Sequence, residues 1–175
     1  MNFPTRATAI AVATLDVSPP HRLDRRRSKM LIGVGLVGHH FDIDGSLKLR
    51  LRTNAIGLLS REEGLVDWLE DELTGCELLI GDALFDSLAL LRAEVQSDRH
   101  LGLADLVNGP SARLHDLSSA RWLGGRKSFV DMCRSADIPV RPDSVDLRAC
   151  WATSLTRPIR DHLANRAASS WRVWA

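Results

Sequence analysis

Residues 60–94 read SREEGLVDWLEDELTGCELLIGDALFDSLALLRAE, and the fold class turns on how this stretch divides. Ser60 and Glu63 stand at capping-box spacing, in which a hydroxyl and a carboxylate satisfy reciprocal backbone donors, so a helix is expected from near Arg61. Leu65, Val66, Trp68, Leu69 and Leu73 then recur with a period of about 3.6, and Gly75 supplies a stop. Leu78-Leu79-Ile80-Gly81 is short and apolar enough for a buried strand. A second helix is expected after Gly81, its stripe of Leu84, Leu88, Leu91 and Val95 packing on a sheet and leaving Asp82 and Asp86 one turn apart on another face. Two carboxylates at a strand-to-helix junction can hold a hard cation. The plainer alternative is that both favour the positive end of the helix.

Outward from this segment the elements alternate. Ala7 to Leu15 is a run of small apolar residues ending at Asp16, as in a central strand buried on both faces. Its Ala/Thr-rich run after Arg6 also resembles a weak secretory signal, and the strand is the preferred reading. Pro19-Pro20 and the charged stretch to Lys29 form a loop, and Met30 to Val37 is a second apolar run. Leu47 to Arg52 alternates strictly, as a strand with one wet face does, and Asp44-Gly45 is a hairpin turn signal before it. His39-His40 reads as a solvated loop in preference to a metal cluster.

The second half is mainly helical. Ser128 and Asp131 repeat the capping-box spacing, Phe129, Met132, Cys133 and Ala136 give an apolar face, and Asp137-Ile138-Pro139 ends the helix. Thr156 and Pro158 open a last helix with the stripe Ile159, Leu163, Ala167, Trp171 and Trp174, which reads as core packing. Three strands, a helix, a strand and then mostly helices is the element order of a ribonuclease H-like α/β fold with a mixed sheet.

At 175 residues the chain is expected to form a single domain over residues 1–175. Charged residues at 26% and hydrophobic residues at 45% place it with globular proteins and away from disordered ones. A net charge of +1 excludes a generally basic nucleic-acid coat. The cations are mostly arginine, clustered in His21 to Lys29 and recurring at Arg50, Arg52, Arg121, Arg126 and Arg141, and arginine suits bidentate phosphate contacts. Cys76, Cys133 and Cys150 have neither zinc-ligand nor disulfide-framework spacing, so a reducing cytoplasm is expected. No apolar run reaches the roughly 18 residues of a membrane span.

Taken together, the motifs resemble those of the DEDD 3′-5′ exonucleases, the proofreading type and the exonuclease domain of family-B DNA polymerases. Gly81, Asp82, Phe85, Asp86 and Leu90 fit a G-x-N-x-x-F-D-x-x-x-L pattern with Asp82 in place of Asn. Asp16-Val17-Ser18 stands where that family has D-x-E, and Asp16 is preferred over the Asp42-Ile43-Asp44 alternative because Asp44-Gly45 makes the better hairpin turn. Leu114-His115-Asp116-Leu117 and the Ser128 to Val140 segment match an H-D-L and helix region, and His162 precedes Arg166 where a final Asp would stand.

The resemblance implies a ribonuclease H-like fold and single-stranded nucleic acid, DNA or RNA, as the partner. It also implies two divalent ions, Mg²⁺ or Mn²⁺, held by four acidic side chains. Carried over residue by residue, Asp16 and Asp86 are metal ligands, Asp82 adds a ligand, His162 is the general base, and the three catalytic groups Asp16, Asp86 and His162 converge at one end of the sheet. Ser18 replaces a glutamate and Arg166 replaces an aspartate, and neither can serve a cation as a carboxylate does. Asp161, one position before His162, is a stand-in for the latter only if the alignment slips by a few residues, and each one-residue slip turns the side chain by about 100°. The expectation is therefore an exonuclease-like nucleic-acid domain with weakened hydrolysis, in which Ser18 and Arg166 contact the strand. The alternative is a catalytically inactive ribonuclease H-like module that binds nucleic acid or a protein partner.

Overall fold

The structure, a computed structural model, describes residues 6–16, 29–41, 46–95, 99–108, 114–119, 128–139 and 145–175. Ser18, the Asp42 to Gly45 turn and Arg121, Arg126, Lys127 and Arg141 lie outside the described residues. The strands are β1 (Ala7–Asp16), β2 (Lys29–Phe41), β3 (Leu47–Ala55), β4 (Leu78–Gly81) and β5 (Leu114–Asp116). They form one sheet in the order β3-β2-β1-β4-β5. β1, β2 and β3 run antiparallel in sequence, and β4 and β5 add parallel to β1. A three-strand meander continued by parallel strands is compatible with the ribonuclease H-like fold. β1 sits at the centre as its small apolar run predicts, and its pairing with β2 shifts register between Ala13 and Thr14.

The helices are α1 (Glu63–Leu73), α2 (Leu84–Glu94), α3 (Leu101–Asn108), α4 (Phe129–Ser135), α5 (Leu147–Ala152) and α6 (Thr156–Trp174). Leu65, Leu69, Leu84, Leu88, Leu91 and Leu103 bury with Ile10, Val34 and Leu36 in one core cluster. Phe129, Met132, Ala167 and Trp171 bury with Ala7, Ala9 and Val37 in the other. No helix is long and apolar enough to cross a membrane among the described residues.

Four local expectations change. α1 starts at Glu63, two residues later than Ser60 would place it, and Glu62 at its N-cap makes no side-chain cap bond. The Ser60 N–H instead donates to the Gly57 carbonyl at 3.0 Å, closing a turn ahead of the helix. By contrast the Ser128 hydroxyl does cap α4, accepting from the Asp131 N–H. Asp82 is not part of α2, because Ala83 in a left-handed conformation (φ 50°) separates strand from helix and turns Asp82 away from the helical face carrying Asp86. His39 is no loop residue: it is buried in β2, with its ring 5.3 Å from that of Trp171. The alternating strand β3 is an edge strand whose apolar side is not covered, since Leu47, Leu49 and Leu51 are each more than half exposed.

α6 is the element that positions the site. Its buried stripe, Ile159, Leu163, Ala167 and Trp171, lies over β1 and β2. The close approach depends on glycines in β2: a Cβ at Gly35 would lie 2.6 Å from the Leu163 carbonyl oxygen, and one at Gly33 would lie 2.7 Å from Leu163 Cδ1. Backbone cannot yield as the end of a side chain can. Gly35→Ala is therefore expected to cost about 2–3 kcal/mol and Gly33→Ala about 1 kcal/mol or less. Urea unfolding with an unchanged m-value should show that order, and equal losses at the two positions would contradict it.

Candidate functional site

The turn from β4 into α2 is fixed from the neighbouring strand. Asp116, buried at the end of β5, accepts the Phe85 N–H at 3.2 Å through Oδ2, and through Oδ1 it accepts the Ser118 N–H at 2.9 Å and hydroxyl at 2.7 Å. A carboxylate thus satisfies one of the open donors at the start of α2, where the helix end is positive. Asp82 is held beside this turn and faces α6.

On α6, His162, Arg166 and Ser170 are spaced four apart and form a second stripe, one residue behind Leu163, Ala167 and Trp171 and so rotated from it by about 100°. One stripe packs on the sheet. The other closes a cleft of about 220 Å³ with Ile10, Ala11 and Val12 of β1 and with Asp82, Ala83 and Ser87.

Across this cleft an Arg166 nitrogen donates to Asp82 Oδ2 at 2.8 Å. The guanidinium also lies 4.9 Å from the centroid of the Phe129 ring, a cation–π distance. Arg166 therefore ties α6 to the β4–α2 turn and to α4 at once. Burial raises the Asp82 carboxyl above the ordinary 3.8; the Arg166 charge lowers it, Asp116 raises it further, and the Ala83 N–H lowers it, with burial the larger influence. Burial likewise pushes up the Cys133 thiol beneath this group.

The residues singled out in the sequence separate into two sets. Asp82, His162 and Arg166 come together in the cleft. Asp16 and Asp86 do not line it: Asp86 is exposed on α2, and Asp16 is exposed six residues past Ile10, the β1 residue paired with Gly81. At about 3.3 Å per residue that offset is on the order of 20 Å of strand. The Asp16 carbonyl instead accepts from Arg148 on α5 at 2.8 Å. Asp161 is exposed and lies 3.9 Å from Arg157, so it does not replace a cleft carboxylate.

A pair of Mg²⁺ or Mn²⁺ ions needs several carboxylates converging within a few ångströms. β1 brings Ile10, Ala11 and Val12 to the cleft and no acid, and Asp82 is already engaged by Arg166. No group of three or more His, Cys, Asp or Glu side chains is placed to hold a metal ion among the described residues. Among the described residues the donors do not fit a two-metal centre.

Three contributors escaped the sequence reading. Asp116 was legible as part of the H-D-L run but not as the anchor of α2, because the contact spans 31 residues. Ser87 and Ser170 line the cleft, and Ser170 alone had a signal, lying one helical turn beyond Arg166. No family model matches this chain, and no curated protein matches it.

The raised Asp82 pKa sets a pH dependence. The folded state holds this proton more tightly than the unfolded chain, so the contribution to stability is fully present below about 3.8 and is lost as pH rises through the folded-state value. The stability of the parent relative to Asp82→Asn should thus fall as pH climbs from about 3.8 toward neutrality. A carbon-13 titration of the Asp82 carboxyl should show a midpoint above 3.8; a midpoint at or below it would reverse the sign.

Proposed function

We propose that this chain is a ribonuclease H-like module that binds single-stranded nucleic acid at the cleft between α6 and the β4–α2 turn, and that it does so without metal-dependent hydrolysis. The observation that carries the reading is the Arg166–Asp82 pair. The positive charge beside the acidic side chain is a guanidinium, supplied by the protein itself.

The chemistry of such a site favours holding a phosphate over cutting its ester. A guanidinium carries five N–H donors in a planar fork that matches phosphate oxygens, and the Arg166 side chain remains 30% exposed beside Asp82. His162 stands one turn before it, and the Ser87 hydroxyl, which donates to the Ala83 carbonyl at 3.2 Å, keeps lone pairs that can accept from a sugar hydroxyl. Hydrolysis asks for more: a water must be activated and the leaving oxygen stabilised, work that in the resembled enzymes falls to two metal ions. A single engaged carboxylate supplies neither. The 3′-5′ exonuclease reading stays as the competing outcome because the element order and the second motif favour that lineage, and fold does not decide activity.

The test uses end-labelled single-stranded DNA and RNA oligonucleotides, with anisotropy for affinity and gel resolution for cleavage. Binding is expected to persist in EDTA, with no shortening of the strand in Mg²⁺ or Mn²⁺. Loss of one phosphate contact in Arg166→Ala should reduce the magnitude of the log–log salt slope by about 0.7. Because Arg166 also ties α6 to the β4–α2 turn and to α4, His162→Ala is measured beside it, and thermal unfolding of both confirms that the proteins compared are folded. Metal-dependent shortening that Asp86→Ala abolishes would establish the exonuclease instead, and absence of binding to either strand type would end the nucleic-acid reading.

A further inference from the structure

A second cavity, of about 340 Å³ and larger than the cleft, opens on the other face of the sheet. Its position follows from strand register. Thr8, Gly38 and Arg50 are partners in one row across β1, β2 and β3, and Ile10, Leu36 and Arg52 are partners in the next. Partners in a row share a face. This face is the one toward α1, since Arg52 lies 3.9 Å from Glu72 of that helix. Gly38 leaves the middle of its row without a side chain, and a Cβ there would meet the Thr8 hydroxyl at 3.1 Å. Arg6, immediately before β1, completes the wall.

Three guanidinium groups, Arg6, Arg50 and Arg52, thus face one hollow against one carboxylate, Glu72, a balance of three minus one, or two positive charges. Arg6 is held in place: its carbonyl accepts from the Glu77 N–H at 2.9 Å, and its guanidinium donates to the Thr74 carbonyl. Arg50 makes no ion pair among the described residues. Arg6 and Arg52 each have a partner on or next to α1, but the three like charges still repel one another across the hollow. An anion relieves the repulsion, and the planar fork of arginine is matched to phosphate oxygens.

We propose that this pocket is a phosphate-binding site, separate from the cleft, that takes a ligand carrying at least two phosphate groups. Arg6 precedes β1 whereas Arg50 and Arg52 lie on β3, two strand spacings or about 10 Å away. A pyrophosphate unit or two successive backbone phosphates can therefore engage both walls and balance the two net positive charges, where a single phosphate group reaches one wall. The Thr8 hydroxyl at the floor adds a donor. The proposal does not rest on the function assigned to the cleft.

The probe is inorganic pyrophosphate, titrated into the full chain at low salt and followed by calorimetry. The parent should bind saturably, and Arg50→Ala should weaken binding about tenfold, the loss expected for one charged hydrogen-bonding partner. Arg50 is exposed on an edge strand, so this variant should fold, which circular dichroism checks. Arg50→Lys should recover only part of the affinity, because an ammonium lacks the fork. Arg157→Ala, an equal change of charge on exposed α6 surface, should leave binding unchanged. Competition with a 5′-phosphorylated single-stranded oligonucleotide then separates the two sources of phosphate: displacement of pyrophosphate assigns the pocket to a nucleic-acid backbone, and retention assigns it to a free polyphosphate. No saturable binding of pyrophosphate, or equal weakening by Arg50→Ala and Arg157→Ala, would overturn the proposal. Loss of oligonucleotide binding in the His162 and Arg166 variants with pyrophosphate binding intact would show the two sites to be independent.

Discussion

Helix α6 rests on the sheet through its backbone as well as its side chains, with the Leu163 carbonyl lying where a methyl group on Gly35 would have to sit. Ala9, Ala11 and Ala13 of β1 pair with Val37, Gly35 and Gly33 of β2, so the surface beneath the helix is built mostly of residues with little or no side chain. A larger residue there would lift the helix and carry its other stripe, His162, Arg166 and Ser170, away from the β4–α2 turn. The cleft is therefore a consequence of small residues on two strands that contribute almost no chemistry of their own.

The same seating explains why the Arg166–Asp82 contact forms. A 2.8 Å ion pair between residues 84 positions apart requires both ends to be placed beforehand. Asp116 fixes one end by capping α2, and the packing of Leu163 and Ala167 fixes the other. Partial burial then acts in two directions: it strengthens the attraction between the charges and raises the cost of ionising Asp82, and the carboxyl rises above its ordinary value in spite of the arginine. A pair of this kind contributes more to the geometry of the cleft than to net stability, because desolvation offsets much of the attraction.

Periodicity made the architecture legible. The buried stripe of α6, the Leu84, Leu88 and Leu91 face of α2, the short strand β4 and the central β1 follow directly from apolar spacing, since each buries a face that the pattern marks. Caps were less secure: Ser128 forms its expected cap, whereas Ser60 is taken up by a turn, and the spacing of residues does not distinguish the two. The candidate site was legible in part. His162 and Arg166 share a helix face by their separation alone, but the partnership with Asp82 depends on tertiary placement. The separation of Asp16 from the cleft depends on strand register: β4 ends opposite Ile10 while β1 runs on for six more residues. A length of strand cannot be read from a motif at its end. Ala83 is the other hidden element, because nothing in its side chain marks the left-handed turn that removes Asp82 from the helix.

A net charge of +1 also constrains how this molecule can meet an anion. With so little overall charge, long-range steering is weak, and attraction has to come from local clusters acting within a Debye length, about 8 Å at physiological ionic strength. The cleft beside α6 and the arginine-lined pocket beside α1 face opposite sides of the sheet, separated by a layer of backbone and side chains on the order of 10 Å thick. Each cluster therefore meets its ligand in the solvent on its own side of the sheet. A bound strand can join them only by passing around an edge, and β3, with Lys48, Arg50 and Arg52 on one face, is the edge that carries positive charge. Occupation of one site by a short ligand should leave the affinity of the other nearly unchanged, whereas a strand long enough to round β3 would gain from both through effective concentration.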